Sequence, residues 1–599
     1  MTCFNPLDKF YKSITGAVCA NKKITFRVKG DFNSVVLLLK KDGGKDDFYP
    51  LNNKGGYFEV TLSVDVGLYF YCFSLGNGKF IGIGDDYLGT ITENPERFQL
   101  TAYSKNYKVP DFMQGGIIYQ IFPDRFYSSN KNKEIEKGKI LHKNWLDMPE
   151  YKPNEFGKIV NNDFFGGDLN GITEKLEYLK DLGVTVIYLN PIFKAYSNHR
   201  YDTGDYMSID PLLGCEADLI NLINKADEHG IKIILDGVFN HTGDDSIYFN
   251  KYGNHHSIGA YQSKNSKYYG WYNFEKFPDK YESWWGITVL PSVNENNQSY
   301  IDFISGKDGV LEHYTKLGIG GWRLDVVDEL PTEFVRSIRK AVKDVNPNAI
   351  VIGEVWEDAS NKVSYDVRRE YFQGAELDSV MNYPLKDAII NFILTKDVGQ
   401  LSFTIKTLID HYPQQVLHSL MNMLSTHDTY RLISAVCGYN TAGLTKEQLA
   451  NLYIDEHHLP HAKFLVRVAS LLQYTLCGVP SLYYGDEIGM QGYSDPLNRK
   501  CYPWGQEDKE LLSWFKFLGT LRHDYDAFID GDFCELYADD GAFVYQRIGK
   551  TSEVLIAVNL SNNELHVEFD GELTNLIDGK NYFNSYQLKS NTFAVFIKK

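Results

Sequence analysis

Over residues 1–110 apolar and polar positions alternate in short stretches. Ile24, Phe26 and Val28 alternate, as do Phe58, Val60 and Leu62, while 35–39 and 68–73 are short apolar runs. Gly/Asn/Asp clusters such as Asp42-Gly43-Gly44 and Gly76-Asn77-Gly78 separate them. A period of two with this punctuation predicts a β-sandwich. From 111 the pattern changes. Short apolar runs at 116–122, 184–191, 232–241, 321–329, 349–356, 379–384, 421–428 and 479–487 alternate with helical periodicity, as over 172–182 and 219–229. That alternation predicts the α/β class, a (β/α)8 TIM barrel over 111–518. The stretch between Asp236 and Asp325 is too long for one crossover and is rich in Tyr, Trp, Asn and His. It predicts an insertion after strand three, about 242–310, on the barrel's C-terminal face. Alternation returns at 543–547, 554–560, 565–569 and 593–597, predicting a second β-sandwich over 519–599.

Composition narrows the class. The chain has 599 residues, 43 % hydrophobic and 23 % charged, which excludes a disordered, collagen-like or coiled-coil protein. A net charge of −17 lacks the positive footprint of a nucleic-acid or anionic-membrane binder and suits a neutral partner. Aromatic residues make up 14 %, and such rings fill cores or stack on sugars. The longest uncharged run, 468–485, contains Gln473, Gly478 and Pro480, so a buried helix entering a strand is predicted there rather than a membrane span. The start, MTCFNPLDKFYKS, has no apolar signal region, which predicts a cytoplasmic protein. Eight cysteines without a CxxC pair predict buried free thiols.

The chemistry lies in strands that should be apolar and are not. Strand three reads ILDGVFNH with Asp236, Asn240 and His241; strand four reads GWRLDVVDE with Arg323, Asp325, Asp328 and Glu329. Strand five reads VIGEVW with Glu354 and Trp356, and strand seven reads STHD with His427 and Asp428. All sit at C-terminal strand ends, where side chains converge on the barrel mouth. Converging carboxylates are costly unless they do chemistry. A GxSxG elbow, a phosphate loop and a dinucleotide fingerprint are absent. Two chemistries stay open on the residues alone. His241, His427 and four carboxylates could ligate a metal, although HxH and HExxH are missing and Arg323 would oppose a cation. Alternatively, paired carboxylates suit glycoside hydrolysis, with Asp325 kept ionised by Arg323 and Glu354, beside Val355 and Trp356, as proton donor. A carboxyl separation of about 5–5.5 Å would mean retention and about 6.5–9.5 Å inversion.

DGVFNH, GWRLDVVDE, GEVW and THD, in order and one per strand, resemble the α-amylase family of glycoside hydrolases. FFGGDLNGI, SNHRYDTGDY, YYGDEIGM and SDPLNR are similar to its cyclomaltodextrinase, neopullulanase and maltogenic amylase branch, and WWGITVLPSVN to amylopullulanases. The resemblance implies Asp325 as nucleophile, Glu354 as general acid and base, and Asp428 as the third carboxylate. It implies His199, Tyr201, His241, Arg323 and His427 around the same glucose, with Asp236 in support. Asp495 and Arg499 would close the non-reducing side; Trp284, Trp285, Glu329 and Trp356 would lie towards the leaving-group sugars. The insertion reads Leu290-Pro291-Ser292-Val293-Asn294 where the branch usually has a Met-Pro-Lys string, so the exact substrate does not carry over. The implied activity is retaining α-glucan hydrolysis on maltodextrins, cyclodextrins or pullulan, with α-glucan transglycosylation as the alternative and a non-catalytic glucan-binding protein as a further one. No organic cofactor is implied. A structural calcium after strand one is, with Ser128, Asn130, Glu134, the Gly166 carbonyl and Asp168 as candidate ligands in a loop that continues through Lys131 and Asn132. A homodimer through the N-terminal domain is implied as well.

Overall fold

The structure is a computed structural model and describes residues 2–130, 133–155, 157 and 159–598. In the N-terminal stretch, Ile24–Lys29 pairs antiparallel with Tyr57–Leu62. This pair faces a second sheet built on Val36–Lys41, Gly67–Gly76 and Phe98–Tyr103. The period of two sets the inner face, since Ile24, Phe26 and Val28 are buried with Leu37, Leu39, Tyr71, Phe73 and Phe98.

The middle of the chain forms an eight-stranded parallel sheet. Its strands are β1 (Ile118–Ile121), β2 (Val186–Leu189), β3 (Lys232–Gly237), β4 (Gly321–Leu324), β5 (Ile350–Gly353), β6 (Ser379–Val380), β7 (Met421–Met423) and β8 (Val479–Tyr483). They run round in sequence order, β8 pairs with β1, and a parallel bridge from Met381 to Met421 joins β6 to β7 and closes the ring. Both strand faces are apolar. Ile118, Val186, Ile234, Ile350, Met421 and Val479 fill the barrel interior, while Ile187, Ile233, Leu235, Trp322 and Val351 pack under the helices. The helix Leu459–Thr475 feeds β8, so the 468–485 run is a helix entering a strand, and no helix of the described residues is long and apolar enough to cross a membrane.

The insertion after β3 folds back on that strand's exit through bridges His241–Ser292 and Tyr272–Val293. Among its aromatic residues Tyr248, Phe249, Trp271, Tyr272 and Tyr300 are buried, and Tyr261, Tyr268, Phe274, Tyr281 and Phe303 pack partly buried against the same core. The FFGGDLNGI string follows from close backbone approach. A Cβ on Gly167 would lie 2.2 Å from the Pro123 carbonyl oxygen, and one on Gly171 2.2 Å from that of Tyr127.

After helix Lys509–Asp524 the chain forms a six-stranded antiparallel sheet. In Glu553–Asn559, Val554, Ile556 and Val558 face the barrel, and Leu555 and Ala557 pack with Val567, Leu573 and Leu588 of the two covering strands. We propose the units 1–110, 111–518 and 519–599 on this topology, with that helix crossing the last boundary. The N-terminal unit grips the barrel through a fully buried Lys12–Asp410 pair, to which Tyr87 donates at 3.1 Å, and through Gln99 Nε2 donating to Ser360 Oγ at 2.9 Å. All eight cysteines are free, but the expectation that they are buried needs correction: Cys215 and Cys534 are exposed, because one precedes a surface helix and the other lies on an outer strand.

Candidate active site

The C-terminal ends of β3, β4, β5 and β7 deliver their polar residues to the floor of a cleft of about 1440 Å³. Arg323 on β4 is the hub. Its Nη1 lies 2.8 Å from Asp236 Oδ1 and 2.7 Å from Asp325 Oδ1, and its Nη2 lies 2.6 Å from Glu354 Oε2. One planar guanidinium therefore bridges the two carboxyls of β4 and β5. Glu354 is fixed further by the Val326 backbone N–H at 3.0 Å and by Trp356 Nε1 at 3.0 Å. Val326 sits at φ 39, a left-handed conformation rare for a β-branched residue, and that conformation follows directly on Asp325. Behind the array, the Tyr188 and Tyr201 hydroxyls donate to Asp236 Oδ2 at 2.6 and 2.9 Å.

Across the cleft Asp428 lies 3.1 Å from His427 Nε2 and 3.4 Å from Arg499 Nη2, and Arg499 Nη1 holds Asp495 at 2.8 Å. Gln120 donates its amide to His427 Nδ1 at 3.0 Å, so the neutral ring carries its proton on Nε2, towards Tyr201 and Asp428. The Tyr201 backbone N–H likewise donates to His199 Nδ1 at 3.1 Å, leaving Nε2–H on the other edge. Burial, with Arg499 nearby, holds both imidazoles well below the ordinary histidine range, and burial brings His241 down to about 4. Neutral donors are therefore what these rings offer a ligand in the cleft.

The carboxyls respond oppositely. Burial pushes Asp236, Asp325 and Asp428 above the ordinary carboxylate range; Arg323 opposes it for Asp236 and Asp325, which share that cation with Glu354, and Arg499 more than Arg323 opposes it for Asp428. The expectation that Arg323 keeps Asp325 ionised is thus too simple, because one cation serves three buried acids. Burial thus favours the neutral form of these three aspartates.

One wall of the cleft is aromatic. Trp356 stacks on Tyr383 at 3.9 Å, Trp284 stacks on His241 at 5.4 Å, and Trp285 Nε1 donates to Glu329 Oε1 at 2.8 Å. His199, Tyr201, His241, Trp284, Trp285, Asp325, Glu329, Glu354, Trp356, His427, Asp428, Asp495 and Arg499 all line the cleft. Asp236 and Arg323 lie beneath its floor, with side chains essentially inaccessible, so they contact the carboxyls rather than the open cleft.

The family profile described as alpha amylase, catalytic domain, matches residues 120–526. The chain belongs to the alpha-amylase family. It is 38 % identical to an amylopullulanase of Thermoanaerobacter thermohydrosulfuricus, over 90 % of this chain and 40 % of that protein. It is 31 % identical to a cyclomaltodextrinase of Thermoanaerobacter pseudethanolicus, over 85 % of this chain and 82 % of that one. The solved type III pullulan hydrolase of Thermococcus kodakarensis superposes with a TM-score of 0.70 at 25 % identity, covering 100 % of both chains. The chain spans less than half the length of the amylopullulanases it matches.

For this family member the calcium expectation does not fit the donors. Lys131 and Asn132 lie outside the described residues. Asp168 is already occupied: Lys133 Nζ lies 2.8 Å from its Oδ2, Ser129 donates through backbone and hydroxyl at 3.2 and 3.0 Å, and the Gly171 N–H caps a helix on it at 2.6 Å. Lys133 also donates to the Leu212 carbonyl, while Glu134 is exposed and Ser128 bonds the Asn130 carbonyl. Among the described residues there is no cluster of three His, Cys, Asp or Glu suited to a metal. A tethered ammonium neutralises the acid that a calcium would need. EDTA is expected to leave the thermal midpoint unchanged, whereas Lys133→Met costs about 1–3 kcal/mol by stranding Asp168. A large EDTA-induced drop in the midpoint of the wild type would contradict this.

Sequence reading missed Tyr188, Gln120 and Tyr383, whose polar atoms are hidden in apolar strands and after β6. It also missed Tyr365, on a hairpin whose loop lacks Asn-Gly. Only an isolated polar residue within an apolar run could have flagged the first two.

Proposed function

We propose that the chain is a retaining α-glucan hydrolase cleaving α-1,4- and α-1,6-glucosidic bonds in maltodextrins, cyclodextrins or pullulan. The observation that carries this is the Arg323 guanidinium bridging Asp325 and Glu354 on the floor of a cleft with aromatic walls. Asp325 attacks C1 to give a β-glucosyl ester while Glu354 protonates the departing glycosidic oxygen. Glu354 then takes a proton from water, which attacks C1 and restores the α configuration. Asp428, with the neutral His199, His241 and His427 and with Arg499, holds the sugar hydroxyls, and Tyr201 stacks on that glucose. The relatives named amylopullulanase and cyclomaltodextrinase support the substrate class.

Incubation with pullulan tests the bond preference. The reading expects panose or isopanose from α-1,4 cleavage together with maltotriose from α-1,6 cleavage; no reducing sugar from pullulan, maltodextrin or cyclodextrin would refute it. Transglycosylation through the same ester is favoured by the exposed ring of Trp285, which suits an acceptor sugar. Products longer than the substrate at high maltotriose would establish it. Pairing of two chains through the N-terminal unit belongs to the proposal too. Phe48, exposed on the outer strand Asp46–Pro50, supports it, and sedimentation at the 68.6 kDa monomer mass would remove it.

A further inference from the structure

After Trp356 the chain forms a small hairpin, Val363–Ser364 paired with Val367–Arg368. Its two-residue loop is Tyr365-Asp366, with φ 49 and 61. Two left-handed residues make a primed turn, a place for Asn-Gly rather than for a bulky ring. Such strain persists only where the surroundings over-determine it, and it concentrates at functional sites.

The surroundings do so here. Arg369 donates to Ser364 Oγ at 2.6 Å, to the Leu330 carbonyl at 2.8 Å and to the Asp328 carbonyl. Lys362 lies 3.2 Å from the Asp328 carboxylate, and Arg368 lies 2.9 Å from Asp42 of the N-terminal unit. The hairpin is therefore clamped both to the segment after Asp325 and to the neighbouring sandwich.

What the clamp holds out is Tyr365. Its side chain lines the cleft and is 68 % exposed, so no packing accounts for it. Trp285 has the same combination, left-handed at φ 51 and 78 % exposed on the cleft. Both rings relate to one carboxylate: Trp285 Nε1 donates to Glu329 at 2.8 Å, and burial and then the Glu329 charge hold the Tyr365 phenol above its ordinary range. Two flat rings, each on strained backbone, thus line the same cleft as Glu354, with the carboxylate of Glu329, next to Asp328, as a hydroxyl acceptor between the insertion and the hairpin's anchor. Apolar ring faces around a hydrogen-bond acceptor suit a neutral sugar.

We propose that Tyr365 is a specificity-determining residue: with Trp285 it forms an aromatic jaw that takes a glucosyl unit beyond the leaving-group sugar, and Glu329 accepts a hydroxyl of that unit. The proposal rests on the α-glucan reading above and adds to it a subsite for longer chains.

The test compares maltohexaose with α-maltosyl fluoride, whose leaving group carries no sugar. Losing one ring face from a sugar contact is worth about tenfold. Tyr365→Ala is expected to lower kcat/KM on maltohexaose about tenfold more than on the fluoride, mainly through KM, and Tyr365→Phe to restore most of the difference. Tyr365→Asn guards against a folding artefact, since Asn accepts the left-handed turn; it is expected to raise the thermal midpoint while showing the same selective loss. Equal losses on the two substrates, in either ring-deleting variant, would overturn the jaw. A wild type inactive on both would instead overturn the glucan reading.

Discussion

Asp325→Asn is expected to lower kcat on maltodextrin by about 10⁴-fold or more, and Glu354→Ala by about 10²–10⁴-fold, with the chain still folded. Both side chains are almost completely buried on one guanidinium, and neither substitution removes the cation. The two losses are distinguishable by chemistry. Without Asp325 the ester cannot form, so added azide can only displace the leaving group directly, from the opposite face, giving a β-glycosyl azide. Without Glu354 the ester still forms when the leaving group needs no proton, so α-maltosyl fluoride remains a substrate. Azide then replaces water on the ester and gives the α-glycosyl azide. Product anomers assigned by NMR decide between the roles. If Asp325→Asn cleaved maltodextrin at the wild-type rate, the mechanism would be wrong; if the azide anomers were exchanged between the two variants, so would be the assignment of roles.

The barrel was legible because β1 to β8 are short apolar runs buried on both faces, and a polar residue at such a strand's end stands out. The same contrast exposed Asp236, Asp325, Glu354 and Asp428. The outer strands Asp532–Asp539 and Asn581–Leu588 escaped, since half or more of each is exposed and polar residues break up the apolar positions irregularly. Sequence spacing also could not say which charged groups face the cleft. Arg323 and Asp236 lie two residues or one strand from Asp325, yet both turn beneath it, because only there can one guanidinium meet three carboxyls. Lys133 carries no sign of its partner in the sequence, yet it reaches Asp168 and supplies that loop's cation. Tyr365 was illegible for a backbone reason: its turn contradicts its own residue preference, and only the clamp made by Arg369 and Lys362 explains it.

Arg323→Met is expected to be the most damaging single change to both activity and stability, and its pH dependence identifies the cause. Removing the cation leaves Asp236, Asp325 and Glu354 buried without a partner charge, which costs about 3–5 kcal/mol at neutral pH. Burial already holds Asp236 and Asp325 above the ordinary carboxylate range with Arg323 present, so its removal moves them further up. The native variant then binds more protons than its unfolded state above about pH 4, and stability falls as pH rises through that window. The deficit against the wild type should therefore be largest near pH 8 and shrink as pH falls towards 5, as read from urea midpoints across that range. Asp236→Asn added to Arg323→Met should recover part of the stability by removing one stranded acid, while activity stays lost. Arg323→Lys should also fail, since a point ammonium cannot span Asp325 and Glu354 at once. A deficit independent of pH would assign Arg323 to packing and remove it from the charge balance of the site.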